Sequence, residues 1–177
     1  MGGISLDTDF NAQSVTSDIR WVVGIVGRGF EKVSRIEEDI QLPLASTSNS
    51  AGYDFFAIED TEIPPHNERY RYPIRVRLGV KAFMQPDEVL LLFNRSSNPS
   101  KFGLVQANSV GVIDSDYYNN PDNEGEIGIE FYNMGTQPVI IKKGQKVCQG
   151  IFMNFLKTND DNRLKEMRNG GYGSTGK

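Results

Sequence analysis

Four apolar residues in strict alternation, Ile74, Val76, Leu78 and Val80, set against Arg75, Arg77 and Gly79, constrain this chain more than any other feature. A period of two sends one set of side chains to a core and the other to water, which is the pattern of a strand. It recurs where Ile127, Ile129 and Phe131 alternate with Gly128, Glu130 and Tyr132. Val89 to Phe93 is instead a continuous apolar run, as expected for a strand buried on both faces. Further strands are predicted over 53–58, 104–113, 138–141 and 147–155, separated by clusters of Gly, Pro, Asn and Asp. Only 99–102 and 162–167 suit a turn or two of helix. Many short strands with frequent turns predict an all-β sandwich, jelly roll or small barrel.

The chain has 177 residues, 38% hydrophobic and 24% charged, which suits one soluble domain. Residues 1–20 read as a loosely held polar extension, 21–167 as the β domain and 168–177 as an arm. The arm, RNGGYGSTGK, has four glycines in ten residues and cannot pack as a strand or helix by itself. It is useful only if it closes over something. A net charge of −4 repels a phosphate backbone, so no nucleic-acid partner is expected without a local basic patch. A small anionic substrate needs only a few well-placed cations. Cys148 and His66 are each the single residue of their kind, which removes intramolecular disulfides, Cys/His zinc sites and histidine triads, and points to a reducing cytoplasm. The apolar run from Trp21 to Gly27 is too short to span a bilayer, and no membrane association is expected.

Three segments could carry chemistry. NRSSN, Asn94 to Asn98, follows a strand and delivers a cation and two hydroxyls beside backbone N–H groups, a set suited to phosphate. NSVGVIDSDYYNN, Asn108 to Asn120, runs an apolar strand into Asp114 and Asp116, placing a carboxylate where it can accept a proton from water. Each alone reads more simply as a polar turn. Gly171 to Lys177 matches GxxxxGK, the start of a phosphate-binding loop, but no Ser or Thr follows and no helix begins there.

Taken in order, AGYDF (Ala51 to Phe55), RSS (Arg95 to Ser97), GVIDSDY (Gly111 to Tyr117), GQKVCQ (Gly144 to Gln149) and GGYGSTG (Gly170 to Gly176) resemble the five motifs of the trimeric dUTPase family. The resemblance implies a distorted jelly-roll barrel and a homotrimer in which each active site draws on all three subunits, with the C-terminal arm crossing to a neighbour. It implies hydrolysis of dUTP to dUMP and pyrophosphate, which limits uracil incorporation into DNA and supplies dUMP for thymidylate synthesis. Asp114 matches the general base that activates water against the α-phosphorus. Arg95, Ser96 and Gln149 match phosphate-contacting residues, with Ser97 in the same motif. Tyr117 would pack on the deoxyribose and exclude a 2′-hydroxyl. Asn108 and the backbone near Ile127 and Gly128 match the hairpin that binds the uracil edge, Gly128 letting the base approach closely, and Gly111 is a further substrate-binding position. In the arm, Arg168, Ser174 and Thr175 would hold the γ end of the triphosphate while Tyr172 stacks on uracil, with Gly173 a further substrate-binding position. Asp54 would support a hydrated Mg²⁺ bound mainly by the three phosphates and water, with no direct protein ligand.

The sequence also departs from the family pattern. YNNPDNEG, Tyr118 to Gly125, replaces a short turn and is expected to project as a longer loop. Lys146 stands where arginine is usual, and Cys148, where a small apolar residue is common, reads as a core residue. Tyr172 replaces the commoner phenylalanine, and Arg168 lies one residue closer to it than usual. Two rivals are open. The sister activity, dCTP deamination, would use a glutamate at the position of Glu130. A regulatory nucleotide-sensing protein with this fold would use the extension or the 119–124 loop to touch a protein partner.

Overall fold

The computed structural model describes residues 27–159. Their strands are β1 (Gly29–Lys32), β2 (Leu44–Ala45), β3 (Tyr53–Phe56), β4 (Thr61–Ile63), β5 (Ile74–Arg77), β6 (Val80–Phe83), β7 (Glu88–Asn94), β8 (Leu104–Gln106), β9 (Val110–Asp114), β10 (Gly128–Asn133), β11 (Val139–Ile141) and β12 (Lys146–Asn154). One six-residue helix, α1 (Ser97–Phe102), lies between β7 and β8. The largest sheet has the order β2-β3-β12-β7-β9, a second has β5-β10-β8, and β1 pairs with β6 and β11 with β4. Every strand pair is antiparallel, so the all-β expectation holds, and the helical turn predicted near Pro99 is α1. The other predicted helical turn, 162–167, lies outside the described residues. Among the described residues no helix is long and apolar enough to cross a membrane.

The inward faces of these sheets share one core, in which Phe55, Val76, Leu90, Ile127 and Phe131 are fully buried. At roughly 1.5–3 kcal/mol per large apolar side chain withdrawn from water, this core is the main source of stability. It is also what fixes strand register, since a slip by one residue would expose each inward set.

Expectations for three of the strand segments change. The alternating run around Ile74 is two strands, because Gly79 adopts φ +66° between β5 and β6 and turns the chain. A Cβ there would also lie 2.9 Å from Ile58 Cγ2, so both the conformation and the space require glycine. The stretch 104–113 is likewise broken, into β8 and β9, at Ser109 with φ +60°. Val89 to Phe93 is not buried on both faces: Leu90 and Leu92 enter the core, while Val89, Leu91 and Phe93 are half-buried on the outer face. Across the sheet, Val112 and Met153 stand opposite Leu91 and Val89 and are 55% and 49% exposed, so one chain leaves an apolar strip uncovered.

The 118–125 loop does not project. Glu124 accepts hydrogen bonds from the Ser34 backbone N–H at 2.9 Å and from Ser34 Oγ at 2.8 Å, and lies 3.5 Å from Lys81 Nζ. Lys81 also donates to Asn119 Oδ1, and Tyr118 donates to Glu31 at 2.6 Å. These bonds draw the loop against β1 and β6.

Candidate active site

Strand β7 ends by handing Arg95 and Ser96 into α1, and two asparagines fix that corner. Asn94 Nδ2 donates to Leu104 O at 3.0 Å, while buried Asn98 donates to Asn94 Oδ1 at 2.7 Å and to Val147 O at 2.8 Å. Pro99 falls in the first turn of α1, where its missing N–H leaves no bond unmade. Gly103, at φ +66°, ends the helix. The asparagines of NRSSN therefore build the corner, and Arg95 and Ser96 are what it presents.

Register brings the rest together. Gln149 of β12 pairs with Asp54 of β3 on one side and with Phe93 of β7 on the other, so three adjacent strands deliver polar groups to one end of the sheet. There Ser46, Asp54, Arg95, Ser96, Lys146 and Gln149 line an open cleft of about 440 Å³. Asp54 Oδ2 accepts from Lys146 Nζ at 2.7 Å and from Ser46 Oγ at 2.6 Å, and Lys146 Nζ also reaches Ser46 Oγ at 2.9 Å. Arg95 Nε lies 3.9 Å from Asp54 Oδ1, and Arg95 Nη1 donates to the Lys146 carbonyl at 3.2 Å. Partial burial pushes the Asp54 carboxyl upward, but the Lys146 and Ser46 hydrogen bonds, with the charges of Lys146 and Arg95, outweigh it and hold it below the usual carboxylate range.

Two cations against one carboxylate leave the cleft with surplus positive charge, flanked by hydroxyls and an amide, which suits a polyanion. Asp54 is engaged by Lys146, Ser46 and Arg95, and among the described residues no three His, Cys, Asp or Glu side chains converge as metal ligands. A divalent cation fits here only if it brings its own oxygen ligands, as one bound to a triphosphate does. Cys148 is fully buried behind the cleft, and its thiol is pushed up by burial and by the Asp54 charge.

The other expected site residues lie elsewhere in the chain. Asp114 ends β9 opposite Val89, six residues before Arg95 along β7, so about 20 Å of strand separates its carboxylate from the Arg95 guanidinium in one chain. Asn108 is exposed at the turn between β8 and β9, Gly111 packs against Leu92, and Ile127 is buried at the start of β10. Tyr117 is 3% exposed, donates to Glu126 O at 3.4 Å and accepts from Asn123 Nδ2 at 2.7 Å. It is a packed wall in this chain rather than an open platform for a sugar. The bare approach expected above Gly128 is also filled: a Cβ there would lie 2.5 Å from Arg75 Nε, and Arg75 Nη2 donates to Glu126 O at 3.1 Å. The guanidinium end of Arg75 lies across that backbone and would have to move to admit a side chain or a base there. Arg168, Tyr172, Gly173, Ser174 and Thr175 fall outside the described residues.

Sequence reasoning set Lys146 aside as a departure and passed over Ser46, although both line the cleft. The polar run STSNS immediately before AGYDF was the available signal for Ser46.

The chain is similar to known proteins over most of its length. The dUTPase family model matches residues 38–176. A deoxyuridine 5'-triphosphate nucleotidohydrolase from Lactococcus lactis is 49% identical over 84% of this chain and 97% of its own length. The crystal structure of the dUTPase from Streptococcus mutans superposes with a TM-score of 0.68 at 48% identity, covering 74% of this chain and 98% of that one. A variant of the dUTPase from phage phi11 of S. aureus, whose structure coordinates a structural Mg(II) ion, shares the fold at a TM-score of 0.60 and 20% identity, covering 80% of this chain and 98% of that one. With its motifs, fold and sequence in agreement, the chain belongs to the dUTPase family.

Proposed function

We propose that this protein hydrolyses dUTP to dUMP and pyrophosphate in the cytoplasm, as a homotrimer whose active sites combine different copies of the chain. The observation that carries the reading is the Arg95–Lys146 cleft, a cationic phosphate seat in a chain of this family. The roughly 20 Å between Asp114 and Arg95 along one sheet argues that the base reaches the seat from a neighbouring copy. The strip formed by Leu91, Val112 and Met153 offers an apolar surface for that neighbour.

In this mechanism Asp114 holds a water in line with the α-phosphorus and takes its proton as the new P–O bond forms. The bond from the α-phosphorus to the bridging oxygen breaks, and pyrophosphate leaves. Arg95, Ser96, Lys146 and Gln149 bind the phosphate oxygens and neutralise charge as it builds on the leaving group. Asp54 keeps the two cations at the mouth of the cleft instead of releasing them to solvent. Tyr117 forms a fixed wall that shapes the sugar site, held by Asn123 and Glu126. Arg168, Tyr172, Gly173, Ser174 and Thr175 close over the nucleotide from the arm. When bound together with the triphosphate, Mg²⁺ would supply further charge neutralisation.

Pyrophosphate release measured across the deoxynucleoside triphosphates tests the reading. Turnover is expected with dUTP far above the others. Rapid ammonia release from dCTP would instead assign the site to deamination through Glu130, which stands half-buried across from Arg75 in the β10–β5 pair.

A further inference from the structure

At the turn joining β8 to β9, a buried amide holds an exposed one. Gln106 is 5% exposed, and its Nε2 donates both to Leu92 O at 3.1 Å and to Asn108 Oδ1 at 3.1 Å. Its Oε1 is buried with no hydrogen-bond partner among the described residues. A backbone carbonyl can only accept, so Gln106 must turn its NH₂ toward Leu92. The same NH₂ then reaches Asn108, which must answer with its oxygen. Asn108 is thereby left with Oδ1 drawn inward as an acceptor and Nδ2 turned outward as a donor. An exposed asparagine without such a neighbour rotates its amide freely and offers either group.

We propose that Gln106 is a positioning residue for base selectivity: it locks the Asn108 amide as a hydrogen-bond donor toward the 4-position of the pyrimidine. Uracil carries a carbonyl there and accepts. Cytosine carries an amino group, so donor meets donor and the pair is repelled. The inference rests on the dUTP-hydrolysing reading above and on Asn108 facing the base. The dimensions agree with that placement, because Val110–Asp114 spans about 13 Å of extended chain, comparable to a nucleoside monophosphate, and leads from the Asn108 turn to Asp114.

Steady-state pyrophosphate release from dUTP and from dCTP, measured on the full chain and on Gln106→Leu, Gln106→Glu and Asn108→Ala, tests the proposal. Gln106→Leu removes the donor but keeps an apolar filling of the space. It is expected to raise KM for dUTP about tenfold, keep kcat within about twofold, and lower the dUTP-to-dCTP ratio of kcat/KM about tenfold. In Gln106→Glu the oxygen that replaces Nε2 has at most one hydrogen, so when that hydrogen goes to Leu92 O the same oxygen meets Asn108 with a lone pair and accepts from Asn108 Nδ2. This substitution therefore inverts the Asn108 amide and should lower the ratio below that of the leucine variant. If the leucine variant fails to fold, the glutamate variant reads the same point. Should both Gln106 variants keep the wild-type ratio while Asn108→Ala lowers it, Asn108 reads the base unaided and the proposal is overturned, with the dUTP reading intact. An unchanged ratio in all three variants overturns it as well, by moving base reading elsewhere. A wild-type chain releasing no pyrophosphate from dUTP removes both.

Discussion

Lys146 Nζ of β12 donates to Asp54 Oδ2 of β3 at 2.7 Å, and this bond organises the charge of the cleft. It sits where the β-bulge between Lys146 and Cys148 shifts the register of the two strands, so the lysine side chain turns to the cleft while Cys148 enters the core. The carboxylate holds one cation directly and lies 3.9 Å from the other, leaving both positive groups facing the opening.

That arrangement has a signature in acid. The folded-state value of Asp54 is lowered, so its contribution to stability is present above the unfolded carboxylate value, near pH 4, and is lost as pH falls through the folded value. The stability difference between wild type and Asp54→Asn in thermal melts should therefore be full above about pH 6 and shrink steadily as pH is lowered below the ordinary carboxylate value, near about 4. A difference that stays constant over this range would show that the carboxylate charge is not what the variant loses.

Lys146 should behave as a phosphate ligand whose charge matters more than its shape. Lys146→Ala is expected to raise KM for dUTP about tenfold, whereas Lys146→Arg, which keeps the charge and adds a planar fork, should stay within about threefold of wild type. Equal kinetics for the alanine variant and wild type would remove Lys146 from the seat.

The 118–125 loop should contribute to stability through its anchors. Glu124→Ala removes two hydrogen bonds from Ser34 and an ion pair with Lys81, all partly solvated, and is expected to cost about 1 kcal/mol, a shift of a few degrees in melting temperature. An unchanged melting temperature would mean that the loop is only laid against β1 and β6 and not fastened there.

Removal of 168–177 should leave oligomeric size unchanged by light scattering, because the sheets that carry the apolar strip are untouched, yet lower kcat about a hundredfold or more. Full activity in the truncated chain would show that closure by the arm plays no part.

What the sequence made legible, and what it hid, follows from the range of the interactions. Period-two alternation is local, so the β class and most strands could be read directly, and the ordered motifs located Asp54, Arg95, Ser96 and Gln149. The break at Gly79 was hidden because a glycine in a polar slot of an alternating run does not disturb the alternation. The one-sided burial of Val89 to Phe93 depends on what covers the outer face. The fastening of Glu124 to Ser34 spans 90 residues, and Asp54 meets Lys146 only through the β3–β12 register, so neither pairing has a local trace. Gly128 looked like room for a base, but the group that fills the room, Arg75, comes from a different strand.

The proposed site joins Asp114 of one copy to the Arg95 cleft of another. Asp114→Asn and Arg95→Ala homotrimers, each nearly inactive alone, should be mixed under conditions that exchange subunits and then assayed for dUTP hydrolysis. In randomly mixed trimers about a quarter of the sites pair an intact cleft with an intact carboxylate from its neighbour, so activity should recover toward about a quarter of wild type. Verified mixed trimers that stay as inactive as their parents would contradict the account.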